Sequence, residues 1–302
     1  MEFVKPGINI NFLKGMKWCV LFSLVVTALC IVTFFWKGFT YGIDFAGGTL
    51  VQIKFQKAMA ADDLRKILQG LGINDAIIQP FGDTDVVVRT AESASDLKGL
   101  SARLEEALLQ THTKDQFEIQ RVEVVGPKVG KDLTQKAILA VVFSWIGMLI
   151  YIAFRFEFRY AMGGIVGVIH DVIVVLGIFS FFEKEFTLTI VAALLTVIGY
   201  SIHDSIVVFD RVRENYRKDA KTDLATLVNG SINQTLSRTF LTSLTTVLVC
   251  AVLFAFGGAV IRDFAFTLLV GIIFGTYSSI FIAAPVVLAW EKRWPSRGRK
   301  KI

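Results

Sequence analysis

The sequence predicts a polytopic α-helical membrane protein: six transmembrane helices, with one α+β domain between the first and the second. Three observations predict it. The 302 residues are 54% hydrophobic and only 19% charged. Six apolar stretches approach the ~20 residues that a helix needs to cross a bilayer. One long polar region carries strand and helix periodicities instead. The apolar stretches are 18–36, 137–154, 161–182, 186–209, 238–256 and 264–288.

The span at 18–36 follows a cytoplasmic segment, 1–17, and is read as an uncleaved anchor. "ALCIVTFFWKG" ends on bulky aromatics where a signal peptide would have small residues. Trp18 and Trp36 suit the two membrane interfaces. Cys19, Cys30 and Cys250 all fall inside spans, which suits buried thiols rather than a disulfide framework. Basic residues then set the orientation. Lys5, Lys14 and Lys17 precede the first span, and Arg155 and Arg159 separate the second from the third. Arg211, Arg213, Arg217, Lys218 and Lys221 fall in the connecting segment 210–237, and the tail 289–302 is strongly basic. The opposite loops, 183–185 and 257–263, are poor in Lys and Arg. The positive-inside rule therefore puts both termini in the cytoplasm. The net charge of +6 resides largely in these flanks and points to anionic lipid as a partner. Nucleic acid would need a basic patch with interleaved aromatics, which the polar region lacks.

The polar region, 37–135, is the extracytoplasmic domain of this topology. "TLVQIKF" alternates as a strand. "AADDLRKILQGLG" spaces Leu64, Ile67, Leu68 and Leu71 helically, starts on Asp62 and Asp63 and stops at Gly72. "AIIQPF" and "DVVVRT" read as two strands joined through "GDT". A second amphipathic helix over 93–112 would be capped by Ser93 or Ser95, and "FEIQRVEVV" is a fourth strand. The order β-α-β-β-α-β is the split, ferredoxin-like arrangement. Its one histidine, His112, stands apart, and Asp62/Asp63 and Glu105/Glu106 read as solvated helix faces. The domain is therefore expected to be a contact module, and no nucleophile–base constellation suggests an enzyme.

Within the spans, ionisable residues carry the sharper signal, because a charge at the bilayer centre costs ~2.5–3.5 kcal/mol or more. "IHDVIVV" in the third span recurs as "IHDSIVV" in the fourth, so two antiparallel helices each hold a His-Asp pair. At ~1.5 Å per residue, Asp171 lies ~15 Å deep and Asp204 ~8–9 Å deep. Arg238, at the cytoplasmic entrance of the fifth span, shares the leaflet of Asp204. An Asp204–Arg238 pair would keep the carboxylate ionised, and breaking it would favour a proton; snorkelling of Arg238 to the headgroups is the alternative. Successive helical residues point ~100° apart, so His170 and His203 need not share a site with their neighbouring aspartates. A metal held by the two pairs lacks a ligand from a third helix, and no metal is expected. In the sixth span Gly271, Gly275, Ser278, Ser279 and Ala283 form a stripe of small residues suited to close helix packing.

Four blocks together carry a resemblance: "IDFAGGT", "GYSIHDSIVVFDRVREN", "INQTLSRTFLTSLTT" and "FGTYSSIFIAAP". In this order, along a six-span chain, they resemble the SecF branch of the SecD/SecF protein-export membrane proteins, within the proton-driven resistance-nodulation-division superfamily. The resemblance implies a subunit of the bacterial inner membrane that works with SecD and uses the proton-motive force. That pair would assist an emerging polypeptide through the SecYEG channel. It implies a proton relay of Asp204 and Arg238 and a coupling motif of Asp44, Gly47 and Gly48; Asp171 matches no role that the resemblance carries over and stands second as a relay residue. It implies no cofactor beyond the ion gradient, and carboxylates alone do not distinguish proton from sodium. No SecD half is present, so a complete proton path should need a second polypeptide. Two other classes stay open: a small-molecule or lipid efflux transporter, and a scaffold whose acidic residues serve packing.

Overall fold

The computed structural model describes residues 9–74, 76–81, 84–90, 97–111, 113–219 and 221–294. Lys5, Ser93, Ser95 and His112 lie outside the described residues, as does the end of the basic tail. In chain order come α1 (Phe12–Lys37), β1 (Thr40–Tyr41), α2 (Ile43–Ala46), β2 (Gly48–Phe55), α3 (Ala61–Gly70), β3 (Ile77–Phe81) and β4 (Asp85–Thr90). Then follow α4 (Leu97–Leu109), β5 (Phe117–Val125), α5 (Pro127–Arg155), α6 (Phe158–Phe181) and β6 (Glu185–Phe186). The chain ends with α7 (Leu188–Lys218), α8 (Leu224–Phe256), α9 (Gly258–Ser278), a π-helical segment (Ser279–Ala283) and α10 (Ala284–Arg293). Two compact units result: a sheet-bearing one, 41–139 with 185–188, and a helical one made of the rest.

In the sheet-bearing unit the strands lie in the order β3-β4-β2-β5, every neighbouring pair antiparallel. Alternation decides which face is covered: Val51, Ile53 and Phe55 of β2 and Val86 and Val88 of β4 meet one apolar cluster. Leu64 and Leu68 of α3, and Leu104 and Leu108 of α4, reach that cluster at i, i+4 spacing, and all four are buried. Each such side chain contributes about 1.5–3 kcal/mol on burial. Helix α3 stops where expected. Gly72 takes φ +84°, and Ile73 N–H donates to the Leu68 carbonyl at 3.0 Å. Asp62 and Asp63 form exposed pairs with Arg65 and Lys66.

Among the described residues six helices are long and apolar enough to cross a membrane. Several extend well past the hydropathy windows. Segment 210–237 is largely helical: α7 runs on to Lys218 and α8 begins at Leu224, with the Asp223 carboxylate accepting from Ala225 N–H at 3.0 Å. The extensions are amphipathic, so mean hydropathy passes them by. Val212, Leu224, Val228 and Ile232 are buried in the core of the helical unit, and Asn215 donates to Ser231 and Gln234 at 2.8 Å each. Between the two helices Asp219 accepts from Thr222 Oγ1 and from the Lys221 and Thr222 N–H groups, which holds its carboxyl below the ordinary range.

Helices α6 and α7 form the interior of this unit, while α1, α5 and α8 expose most of their apolar surface. Arg159, expected in a connecting loop, lies in the first turn of α6, where it is buried and paired with Glu157 and with Glu291 of α10. Cys30 is buried on α1 facing Gly177 of α6, Cys250 is buried too, and Cys19 is half-buried. The small-residue stripe packs α9 on α7. A Cβ at Gly275 would meet Ser201 Cβ at 3.1 Å, and one at Gly271 would sit 2.2 Å from Val197 Cγ2. Gly271→Ala is therefore expected to cost about 1–3 kcal/mol through overpacking. Val197→Ala in the same chain removes the colliding methyls and should restore much of it, a coupling of about 0.5–3 kcal/mol. Thermal unfolding of the single and double variants in lipid nanodiscs checks this; strictly additive losses would refute it.

Candidate functional site

The close approach at Gly275 sets the geometry around the two intramembrane aspartates. With no side chain there, Ser201 of α7 and Ser278 of α9 can both turn toward α6. Asp171 of α6, fully buried, accepts from Ser201 Oγ at 2.6 Å and from Ser278 Oγ at 2.7 Å, both on Oδ2. Its Oδ1 lies 3.0 Å from His170 Nδ1. Adjacent residues on one helix thus share a site here. On α7 they diverge: His203 is exposed while Asp204 is 2% exposed.

Asp204 faces α8 and α9. Its Oδ2 accepts from Ser243 Oγ at 3.4 Å and Thr276 Oγ1 at 3.3 Å, and those hydroxyls are 2.7 Å from each other. The next residue of α7, Ser205, donates from Oγ to Ser279 Oγ at 3.1 Å. Hydroxyls therefore line the space around both carboxylates, and a hydroxyl can donate to an anion or rotate to accept from a protonated carboxyl. Sequence reasoning read Ser278 and Ser279 as packing residues and passed over Ser201, Ser243 and Thr276. The signal that would have found them is a hydroxyl-bearing stripe opposite an acidic one.

Arg238 does not pair with Asp204 in this arrangement. Among the described residues its guanidinium makes no ion pair, and the side chain is exposed. The reason is azimuthal. Ser243 touches Asp204, and five residues back along α8 is ~140° round the helix, so Arg238 points elsewhere. It stays within electrostatic reach of Asp204 without touching it.

The π-helical segment adjoins this site. Pro285 has no N–H to give the carbonyl four residues earlier, so the regular ladder of the sixth span breaks there.

In the sheet-bearing unit the glycine-rich block is compact. Gly47 has φ +76°, and a Cβ on it would meet Pro127 Cα at 3.2 Å. Gly130 of α5 approaches the Phe45 carbonyl so closely that a Cβ would lie 2.8 Å from its oxygen. Gly48 takes φ +125° at the start of β2. Asp44 Oδ2 accepts from Leu188 N–H at 2.8 Å, capping the first turn of α7.

Comparison with known proteins places these blocks. The description "Protein export membrane protein SecD/SecF, C-terminal" matches residues 105–293, which hold Asp171, Asp204 and Arg238. The chain belongs to the SecD/SecF family. The family's GG motif matches residues 34–59, which include Asp44, Gly47 and Gly48. The chain is 44% identical over 295 residues to a protein translocase subunit SecF from Magnetococcus marinus, covering 96% of this chain and 95% of that protein. It is 45% identical over 294 residues to another from Calditerrivibrio nitroreducens, covering 95% and 96%. It is also similar to the crystal structure of SecDF, a translocon-associated membrane protein from Thermus thermophilus, with a TM-score of 0.87 and 39% identity. That likeness covers 95% of this chain but 39% of the SecDF chain, so the chain spans about two fifths of that structure's length. Membership and the six membrane-length helices make it a multi-pass membrane protein.

Proposed function

We propose that this chain is a SecF-type translocase subunit that works with SecD to assist protein export through SecYEG, driven by the proton gradient. In this reading it lies in the bacterial inner membrane with both termini in the cytoplasm and anionic lipid around its basic flanks. The sheet-bearing unit is a ferredoxin-like domain on the periplasmic side that meets the emerging polypeptide. The chain is a transport subunit rather than an enzyme.

One observation carries the reading. Asp204 is buried among apolar helices with two hydroxyl donors and, among the described residues, no cation in contact. Such a group costs too much to keep for packing alone. In the proposed cycle the carboxylate takes a proton from the periplasmic side and releases it to the cytoplasm. Ser243 and Thr276 hold it in the observed arrangement, and Arg238 engages it in the other. One elementary charge crossing ~100 mV supplies ~2.3 kcal/mol, enough to shift a two-state equilibrium about fiftyfold.

The test uses proteoliposomes holding SecYEG and SecD, with and without this chain. The increment in export that the chain adds should vanish when the proton gradient is collapsed by an ionophore. An increment that survives collapse would leave a scaffold.

A further inference from the structure

The relay reading uses Asp204, whereas Asp171 sits in a different setting. Three donors converge on it: two hydroxyls fill Oδ2, and His170 Nδ1 faces Oδ1. With Asp171 as the anion, Nδ1 carries the hydrogen that faces Oδ1, and in the neutral ring Nε2 is then a bare lone pair. His170 is 7% exposed, and its Nε2 is buried with no hydrogen-bond partner. A strong acceptor thus lies in the membrane unit, beside an anion, with no donor to it among the described residues.

The surroundings favour a proton over a metal. Among the described residues no Lys or Arg pairs with Asp171, and no three His, Cys, Asp or Glu side chains gather as a metal site. Of the titratable groups on α7, His203 is exposed and Asp204 is bonded to Ser243 and Thr276. From α9 there is Tyr277, whose hydroxyl donates to the Cys19 carbonyl of α1 at 2.7 Å. From α1 there is Cys30, whose thiol points to the Val174 carbonyl. From α10 there is Glu291, tied to Arg159. None of these bonds to the ring.

We propose that His170 and Asp171 form a second proton-binding site, distinct from Asp204, in which His170 Nε2 takes the proton and Asp171 remains the anion. Hydronium gives its proton to Nε2 and leaves as water. The ring becomes imidazolium, and the dyad passes from one negative charge to none. On release the proton returns to water from the same nitrogen. Ser201 and Ser278 hold Asp171 in register through both states. Ser201 stands one turn from Asp204 on α7, so the occupancy of one site bears on the packing around the other. The proposal rests on the reading of this unit as a proton carrier, but not on Asp204 being its carrier.

The sequence makes the test direct, because it holds only three histidines. The full chain, labelled with 15N-histidine in lipid nanodiscs, is titrated by NMR from about pH 8 to about pH 5, the range in which histidines change charge. His170→Gln assigns the signal. The expected spectrum shows an Nδ1–H neutral ring that converts to imidazolium. In Asp171→Asn the ratio of imidazolium to neutral ring should fall about tenfold or more at a given pH, while in Asp204→Asn the conversion persists. If Asp171→Asn does not fold, Ser201→Ala with Ser278→Ala withdraws the Oδ2 donors and should still change the His170 conversion. The proposal fails if the ring stays neutral throughout, if neither set of variants alters it, or if Asp204→Asn abolishes it. It fails too if added sodium at fixed pH moves the signals in place of protons. Conversion that holds while export ignores the gradient would keep the dyad and remove the export reading.

Discussion

Asp204→Asn is expected to reduce gradient-dependent export at least about 10²-fold, the size of effect seen when a proton-transferring side chain is lost, while the chain still folds and inserts. Asparagine has nearly the shape of aspartate, and its amide oxygen can still accept from Ser243 and Thr276. Those two bonds are long, 3.4 and 3.3 Å, so small changes in them matter little to stability. A neutral hydrogen bond of this kind is worth about 1 kcal/mol net. What asparagine cannot do is ionise. The variant therefore separates the charge cycle from the packing that surrounds it. Export should be measured in proteoliposomes with SecD and SecYEG, and thermal unfolding in the same lipid. Wild-type export by a well-folded variant would mean that the carboxylate serves packing. Loss of export together with loss of folding would call for Asp204→Glu, which keeps the charge and should retain part of the activity.

Asp204 was legible in the sequence because a carboxylate inside an apolar run is costly wherever it points. Its partners were not. Ser243 and Thr276 lie 39 and 72 residues away, and serine and threonine are common in such helices for packing. The expected pairing with Arg238 shows the same limit. Depth along a helix can be counted from the sequence, but the direction a side chain takes depends on how α8 is rotated against α7. The contrast between His170 and His203 follows from this too: the same Ile-His-Asp triplet, one ring turned onto its aspartate and the other outward. Helices and strands of the sheet-bearing unit were legible because their signals are local, such as Leu64 and Leu68 at i, i+4 or Gly72 at a helix end. The extensions of α7 and α8 beyond the apolar windows escaped hydropathy because their charged outer faces cancel the apolar inner ones. Nor did the sequence suggest that Asp44 would cap α7, since that bond joins residues 144 apart.

Arg89→Ala should destabilise the sheet-bearing unit by about 3–5 kcal/mol, the cost of leaving one partner of a buried ion pair alone. Arg89 of β4 pairs with Glu185 of β6, both about nine-tenths buried, and also donates to Gln79 of β3 at 3.1 Å. Without the guanidinium, the Glu185 carboxylate must take up a proton, find water or leave the interior. The last route would pull on 185–188, the segment that also includes the Leu188 N–H bonded by Asp44. A charge explanation and a packing explanation make different claims about a second variant. If unpaired charge is the cause, Arg89→Met combined with Glu185→Leu should be much less destabilised than Arg89→Ala, because two apolar side chains need no partner. Hydrogen exchange of the β4 and 185–188 amides would report the loss locally, and thermal unfolding would give its size. A double variant as unstable as the single one would assign the loss to Arg89's own packing and its bond to Gln79, with the Glu185 charge contributing little.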